Sequence, residues 1–356
     1  LQIGGEVIKC RAWGHEAAAI FGGKPVNPVN AIPGGVSKPL KTDERARLEE
    51  ICRFMVDFGR FTLKLLHDVV LSNTEYVDLI LNGPYCHRTY SMGLVDEQNR
   101  ANFYDGKVRV VDPDGQELCK YSPSEYTQHI TERVEPWSYL KVPYLKQVGW
   151  KGFVDGKDSG VYRATPQSRL NAADGLNSPL AQEAYEEYFE TLTGDRSGKK
   201  PVHHTLAIHW ARVVEILNAA ERALELVRHP EITDPENYRV VCDKTPHEGI
   251  AIVEAQRGTL THHYVTDERG IVKKANLIVG TTNNHAAICM SIKSAAHGLI
   301  KKGVEVTEGI LNMVEMAFRA YDPCFGCAAH SLPGHMQLTV RVRDADGTVL
   351  SERSRN

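Results

Sequence analysis

The stretch DPCFGCAAH, residues 322–330, sets two thiols, Cys324 and Cys327, beside the imidazole of His330. Thiolates bind soft metals, and a C-x-x-C spacing directs both sulfurs at one centre. The imidazole follows three residues later, so one turn can gather all three groups. A structural zinc site normally takes four ligands from two paired motifs. No second C-x-x-C or C-x-x-H pair occurs in the sequence, so the spacing alone leaves zinc, another metal or a redox role open.

The composition is that of an ordinary globular protein, since 42% of the 356 residues are hydrophobic and 24% are charged. The formal net charge of −3 argues against a nucleic-acid-binding surface. No apolar run reaches the roughly 18 residues that a membrane helix needs. The eight cysteines are scattered and do not resemble a secreted disulfide framework. We therefore expect a cytoplasmic protein without a membrane span in this chain, so that any membrane association would come through its partners.

Hydrophobic periodicity predicts long helices joined by short strands. The clearest helix runs from Thr42 to about Leu71, with acidic residues near its start. The sequence Ser178-Pro179 predicts the start of another helix, with Ser178 as the N-cap. The remaining predicted elements are a hairpin over 107–121, helices over about 205–228, 285–302 and 307–320, strands around 238–242, 248–254 and 262–279, and a hairpin after residue 336. We expect a mainly α fold with short β excursions (α+β).

The run D-P-C-x-x-C-x-x-H resembles the C-terminal metal motif of nickel–iron hydrogenase large subunits. Further segments resemble other motifs of that family in the same order along the chain. They are residues 14–36, 160–171 (G-P-L-A-R in the family), 254–262 (E-x-P-R-G-x-L-x-H), 279–284 (P-[ST]-T-x-N) and 308–323. Because several ordered motifs are hard to obtain by chance, the resemblance implies the family's helical core over nearly the whole chain.

The resemblance implies a ligand set for a Ni–Fe centre whose iron carries carbonyl and cyanide ligands. In the family the first cysteine of the C-terminal pair binds nickel terminally and the second bridges nickel to iron, which assigns Cys324 and Cys327. The family histidine that corresponds to His330 binds a magnesium or iron ion away from the pair. The alternative for His330 is a buried structural histidine.

The resemblance also implies residues around the centre. Arg257 would lie over the metals as a positive charge and hydrogen-bond donor. Asp322 would pair with Arg257 and fix it, and the hydroxyl of Thr281 would touch a cyanide on iron. Without the surrounding motifs, Arg257 would be read as a solvated surface arginine and Asp322 as an acidic turn residue before Pro323.

The remaining cysteines and histidines lack spacing that defines a metal site. We expect packing thiols at Cys10, Cys52, Cys86, Cys119, Cys242 and Cys289, and satisfied core or surface histidines at His203, His204, His209, His262, His263 and His285.

Four features depart from the family pattern, and one of them is the run TPQSR at residues 165–169, which replaces G-P-L-A-R. The motif R-x-C-G-x-C, which supplies two further thiolates in the family, is absent, and Gln256 and Gly280 replace prolines. We therefore expect a catalytic domain over 1–330 that lacks its N-terminal part. The family's histidine is followed by a proteolytic cleavage site, so 331–356 is expected to be a maturation propeptide and the chain an immature precursor.

The implied activity is H2 ⇌ 2 H⁺ + 2 e⁻. This sequence has too few spaced cysteines for its own cluster relay, so an iron–sulfur small subunit is the expected electron acceptor. Further electron-transfer subunits and maturation proteins, for nickel insertion and endopeptidase cleavage, are the other expected partners. Two alternatives stay open: a non-catalytic scaffold like the quinone-proximal subunit of respiratory complex I, and a zinc-stabilised structural protein.

Overall fold

The computed structural model describes residues 2–138, 140–324 and 338–355, and the chain divides into two compact units, 1–321 and 322–356. The first unit combines helices with several small sheets. Its helices are α1 (Gln2–Gly22), α2 (Thr42–Leu66), α3 (Thr74–Asn82), α4 (Tyr126–His129), α5 (Pro166–Ala172), α6 (Pro179–Thr193), α7 (Ile208–Arg228), α8 (Gly280–Asn283), α9 (His285–Leu299) and α10 (Glu308–Arg319). Together with the strands they confirm the expected α+β fold.

The strands form small, mostly antiparallel sheets. They are β1 (Ala31–Ile32), β2 (Gly35–Val36), β3 (Tyr90–Val95), β4 (Lys107–Val111), β5 (Glu117–Tyr121), β6 (Ile130–Arg133), β7 (Val142–Leu145), β8 (Tyr162–Arg163), β9 (Glu248–Ala255), β10 (Gly258–Thr266), β11 (Val272–Ile278), β12 (Leu338–Arg343) and β13 (Val349–Arg355). The largest sheet has the order β5-β4-β3-β8, with β3 and β8 parallel, and a second has the order β11-β10-β9.

The helical core is built on α2 and α7. Leu48 and Ile51 of α2 are buried, as the apolar spacing predicts, and the chain continues beyond Leu66 as a π-helical turn to Leu71. A Cβ at Gly59 would lie 3.1 Å from the Leu217 backbone, so the missing side chain lets the two helices approach closely. Among the described residues, none of the helices is both long and apolar enough to cross a membrane.

The start of α6 differs from its sequence prediction in one respect. The helix begins at Pro179 as expected, but the Ser178 side chain makes no capping hydrogen bond. The Glu221 carboxylate on α7 instead accepts hydrogen bonds from the amides of Leu180 (3.2 Å) and Ala181 (2.8 Å). A carboxylate at a helix N-terminus satisfies orphan amides and opposes the helix dipole, so a neighbouring helix supplies the cap.

The β predictions were confirmed except in two places. The predicted strand over 238–242 is wrong: Val240 and Val241 are each 72% exposed, and only an isolated bridge joins Arg239 to Gly35. The predicted strand over 262–279 is two strands, β10 and β11, separated by a turn. The hairpins over 107–121 and after residue 336 both form, as β4–β5 and β12–β13.

Helix α1 was not predicted. Its glycines, Gly4 and Gly5, weaken helix propensity and obscure the apolar period. Trp13 and the buried Ala17 nevertheless pack into one cluster with Leu48 and Ile51 of α2. Tertiary packing therefore stabilises a helix whose own sequence signal is weak.

Candidate metal centre

A tight turn carries Arg257. Strand β9 ends at Ala255 and β10 begins at Gly258, so Gln256 and Arg257 alone connect the two strands. Gly258 has φ +152°, and a Cβ there would lie 2.6 Å from the Gly280 carbonyl oxygen and 2.7 Å from that of Ala164. Only glycine fits this conformation and this space, so three distant segments of the chain approach one another at Gly258.

Asparagine side chains join those three segments. Asn284 Oδ1 accepts from the Ala164 amide (2.8 Å), while its Nδ2 donates to the carbonyl oxygens of Arg257 (2.8 Å) and Gly280 (3.2 Å). Asn283 Nδ2 donates to the Thr259 carbonyl oxygen at 2.6 Å. The sequence motifs at 160–171, 254–262 and 279–284 therefore meet at one buried junction.

The junction brings together two of the residues predicted from sequence. Arg257 is half-buried on the β9–β10 turn, and Thr281 is buried in the short helix α8. Both have contacts in the structure. Their assigned roles beside a metal cofactor stay predictions.

A substitution at the junction tests its rigidity. We expect Gly258→Ala to lower the free energy of unfolding by about 2–5 kcal/mol, because it adds backbone strain and a clash with two carbonyls. Gly249→Ala on β9 is the matched control, since a Cβ there meets nothing within 4 Å; it should change stability by less than about 1 kcal/mol. Urea unfolding of both variants measures the difference, and equal values would contradict the close packing at Gly258.

Beside the arginine turn lies a buried charge cluster that sequence reasoning missed. Arg169 on α5 donates to both carboxylate oxygens of Glu215 on α7, through Nε at 2.7 Å and Nη2 at 2.5 Å. Its Nη1 lies 3.3 Å from Glu254 Oε2, and the side chains of Arg169 and Glu254 are 2% and 1% exposed. The only sequence signal was that Arg169 and Glu254 both fall in motif-like segments.

One guanidinium thus serves two buried carboxylates. Burial by itself lowers the pKa of Arg169, but Glu215 and then Glu254 raise it above its usual value. Burial raises the pKa of Glu254 from 4.5 to about 7, although Arg169, the Leu94 amide and the Thr259 hydroxyl favour its charged form. Arg169 makes only one longer contact with Glu254, so the cost of burying the charge outweighs the attraction of the guanidinium, and Glu254 takes up a proton near neutral pH.

This pKa makes stability depend on pH. The folded-state pKa of Glu254, about 7, lies above the unfolded value of 4.5. Its contribution to stability is therefore fully present below pH 4.5, falls by about 3 kcal/mol as pH rises to about 7, and is flat above that. Glu254→Gln keeps an oxygen that can accept the Leu94 amide but removes the titration. Urea unfolding of both proteins from pH 5 to 7.5 should give a shallower decline for the variant; parallel curves would contradict the shift.

A second buried polar cluster ends at the residue before Asp322. His87 Nε2 lies 2.7 Å from Ser291 Oγ, which is 2.8 Å from the Tyr321 hydroxyl. Burial lowers the pKa of His87 well below its usual value, so the ring is neutral at physiological pH. Tyr321 is the last residue of the first unit, and the hydrogen bonds of this cluster hold its side chain in place.

Asp322 and Cys324 belong to the second unit. Asp322 follows the end of α10 and has φ +50°. This left-handed conformation is uncommon outside glycine, although Asp tolerates it better than most residues. The half-buried thiol of Cys324 follows two residues later. The pairing of Asp322 with Arg257 stays a prediction, and Cys327 and His330 lie outside the described residues.

The donor chemistry of this segment suits a soft metal. Over 2–138, 140–324 and 338–355 there is no group of three or more His, Cys, Asp or Glu side chains arranged to hold a metal ion. Within the second unit, the described part of 322–356 carries the half-buried thiol of Cys324. A thiolate-bound metal of the nickel or iron type fits these residues better than calcium or magnesium.

Outcomes for the other histidines and cysteines are mixed. His203 is confirmed as a satisfied core histidine, since its Nε2 lies 2.9 Å from the Pro113 carbonyl oxygen and burial lowers its pKa to about 4. Cys52 is buried, as predicted, and Cys10, Cys119 and Cys289 are half-buried with pKa values raised by burial. The prediction of packing thiols is wrong for Cys86 and Cys242, which are exposed.

Comparison with known proteins agrees with the motif reading. The nickel-dependent hydrogenase family matches residues 6–330. The chain is 44% identical to an iron-sulfur subunit of the F420-non-reducing hydrogenase of Archaeoglobus profundus, over 98% of this chain and 71% of that protein. It is 36% identical to the NAD-reducing hydrogenase HoxS subunit beta of Cupriavidus necator, over 98% of this chain and 70% of that protein.

The fold comparison gives the same result. A crystal structure of an NAD⁺-reducing [NiFe]-hydrogenase in the H2-reduced state superposes with a TM-score of 0.78 at 32% identity, covering 92% of this chain and 69% of that one. Family, sequence and structure therefore agree over almost the entire length. This chain belongs to the nickel-dependent hydrogenase family of H2-acting oxidoreductases.

Proposed function

We propose that this chain is the catalytic large subunit of a [NiFe] hydrogenase. The observation that carries the proposal is the buried junction at Gly258, where Asn284 ties the Arg257 turn to the Thr281 helix. A structural zinc protein has no need to hold an arginine and a threonine in one rigid frame. Retention of the cysteine motif likewise argues against a scaffold without metal.

The chain's own residues would hold the cofactor and handle the proton. Cys324 and Cys327 would supply thiolates to a Ni–Fe centre whose iron carries carbonyl and cyanide ligands, and His330 would bind a magnesium or iron ion. When bound, such a centre supplies the electron-accepting chemistry for heterolytic H2 cleavage. The Cys324 thiolate would also be a base beside that centre and could accept the released proton.

Arg257 and Thr281 would act from the surroundings of the cofactor. The guanidinium of Arg257 carries a fixed positive charge and several planar donors, which would stabilise negative charge on the ligands of the centre. Asp322 would orient that guanidinium, and Thr281 would donate its hydroxyl to a cyanide. These roles use preorganised charge and hydrogen bonds and need no movement during turnover.

Electrons would leave through an iron–sulfur small subunit. The relatives are named as subunits of larger hydrogenases, which supports assembly with at least one partner. Further electron-transfer subunits and maturation proteins would follow from the same assembly, and the cytoplasm is the proposed location.

The catalytic domain would span residues 1–330 and the segment 331–356 would be a maturation propeptide. Mass spectrometry of the enzyme before and after nickel loading tests this assignment. A mature form that ends near His330 supports cleavage, whereas an intact C-terminus in fully nickel-loaded, active enzyme would rule it out.

Elemental analysis combined with an H2-dependent dye-reduction assay tests the function. The protein, produced with its maturation machinery and partner, should contain nickel and iron and reduce the dye only under H2. A purified complex without metal would favour the scaffold alternative, and zinc alone would favour a structural metal site. If the complex contains no metal, or zinc alone, and shows no H2-dependent activity, the proposal is refuted.

A further inference from the structure

The turn that carries Arg257 lacks the φ pattern that is usual for a two-residue hairpin. Two-residue hairpin turns usually have positive φ at the first central residue, because that backbone twist matches the flanking strands. Neither Gln256 nor Arg257 has positive φ, and the positive value falls on Gly258 instead. The conformation that presents Arg257 therefore depends on Gly258 and on contacts from outside the hairpin.

Buried side-chain donors supply those contacts. Arg169 Nη1 donates to the Ala255 carbonyl oxygen (2.9 Å), and Nη2 lies 3.4 Å from that of Gln256. Asn284 Nδ2 donates to the Arg257 carbonyl oxygen (2.8 Å). Three consecutive carbonyls thus accept N–H groups from side chains that are almost fully buried. Such contacts fix the backbone on both sides of the arginine.

We infer that Arg169 is a positioning residue for Arg257, which it serves by clamping the turn through the carbonyls of Ala255 and Gln256. The inference deepens the proposed function and rests on it. Arg169 has no role in the assignments made from the sequence motifs, and it would act through the backbone, without touching the cofactor or H2.

Arg169 is itself rigidly anchored. All seven residues of α5 are buried, and the Thr165 hydroxyl caps the helix by accepting from the Ser168 amide. A Cβ at Gly93 on β3 would lie 2.9 Å from the Arg169 Cα, so the strand and the helix are in direct contact. The bidentate contact with Glu215 fixes the plane of the guanidinium. The contacts of α5 with β3 and α7 therefore fix the position of Arg169, and Arg169 in turn fixes the backbone of the turn.

Lysine cannot replace this function. A lysine ammonium would keep a positive charge near Glu215, but its compact head cannot bind a carboxylate bidentately and reach two carbonyls in one plane. Displacement of a catalytic group by a fraction of an ångström to 1 Å costs up to about 100-fold in rate. In the matured enzyme with its partner, Arg169→Lys should lower kcat for H2 oxidation roughly 10- to 100-fold and leave KM for H2 nearly unchanged.

A second readout does not need the cofactor. Hydrogen exchange in a peptide covering 254–260, measured on the metal-free chain, should be roughly tenfold faster in Arg169→Lys, because the turn opens locally. Peptides from α1, whose packing cluster contains no residue of α5 or of 254–260, should exchange as in the wild type. Unchanged exchange in 254–260 together with unchanged kcat would overturn the inference.

Arg109 provides a matched control. It also bridges two carboxylates, Glu117 (2.8 Å) and Asp174 (2.9 Å), and donates to a backbone carbonyl, that of Ala172 (3.0 Å). None of these groups is on the Arg257 turn. Arg109→Lys should leave both kcat and exchange in 254–260 within about threefold of the wild type; losses equal to those of Arg169→Lys would show a general structural effect and overturn the inference.

Chemical rescue gives an independent test. A cavity of about 260 Å³ lies against the Arg169 side chain, with Phe103, Glu215 and Gln256 among its lining residues. Arg169→Ala should open a hole that guanidinium can enter at concentrations well below those that denature proteins. Guanidinium, and not ammonium, should restore kcat at least about tenfold, and Arg109→Ala should show no such gain. If guanidinium and ammonium act alike, the planar clamp is wrong.

The two hypotheses fail in different ways. Wild-type enzyme without H2-dependent activity would refute the proposed function, while the exchange comparison in the metal-free chain would still decide whether Arg169 holds the turn. If Arg169→Ala does not fold, the values of kcat and the hydrogen exchange of Arg169→Lys and Arg109→Lys decide the inference without it.

Discussion

Replacing Cys324 by serine should abolish nickel binding and reduce H2-dependent activity to background. Serine preserves the size of the side chain but exchanges a soft, readily ionised thiol for a hard hydroxyl that stays protonated at neutral pH. Removing a residue that only hydrogen-bonds to a metal ligand weakens metal affinity by roughly 10- to 100-fold. Removing a residue that binds the metal itself should weaken the affinity by more than that. Nickel content by elemental analysis and dye reduction under H2 measure the two effects on one preparation.

Cys86→Ser is the control for that experiment. Cys86 forms no disulfide and is exposed, so its replacement should alter neither nickel content nor rate. Melting temperatures of the two variants, both measured without metal, should agree within a few degrees, because Cys324 is not part of the core of the first unit. Full nickel occupancy in Cys324→Ser would remove this residue from the ligand set.

Replacing Arg257 by lysine should reduce kcat for H2 oxidation roughly 100- to 1,000-fold, the range seen when one preorganised donor to a developing charge is removed. Lysine keeps the charge but loses the planar donors. Because the backbone of the turn is held by Arg169 and Asn284, the fold and the metal content should persist. Steady-state kinetics at saturating H2, with metal analysis, measure the effect.

Arg222→Lys serves as its control. Arg222 is a partly exposed arginine on α7 that pairs with Glu225 and Tyr104, and its replacement should leave kcat unchanged within about twofold. If Arg257→Lys retains the wild-type rate, the guanidinium has no part in the chemistry. If it loses metal as well as rate, Arg257 acts in assembly of the site.

The charged cluster beside the turn shows why part of the site could not be predicted. Arg169 lies 46 positions from Glu215 and 85 from Glu254, and no local pattern links residues at such distances. The sequence marked Arg257 and Thr281 through their motifs, but it gave no reason to expect that Arg169 clamps the turn that carries Arg257. The raised pKa of Glu254 depends on burial among the same groups, which composition does not reveal.

The start of α6 likewise combines a correct local prediction with a tertiary contact that the sequence did not predict. Ser178-Pro179 correctly predicted where α6 begins, because proline fixes the backbone of the first turn. It also predicted Ser178 as the N-cap residue, but not that the capping hydrogen bonds come from the carboxylate of Glu221 on another helix. The valines at 240 and 241 predicted a strand through their β propensity, but no apolar surface covers them, and they lie exposed.

The local sequence therefore determined the family motifs, the thiol donor at Cys324 and most of the helices and hairpins. Hydrophobic periodicity, turn chemistry and the type of a metal ligand are properties of single residues and their neighbours, so the sequence alone shows them. Tertiary structure alone decided that residues 164, 258 and 280 meet at one point and that one buried arginine balances two carboxylates. The free energy of those contacts comes from burial and hydrogen bonds between residues far apart in the chain, so it exists only once the chain has folded.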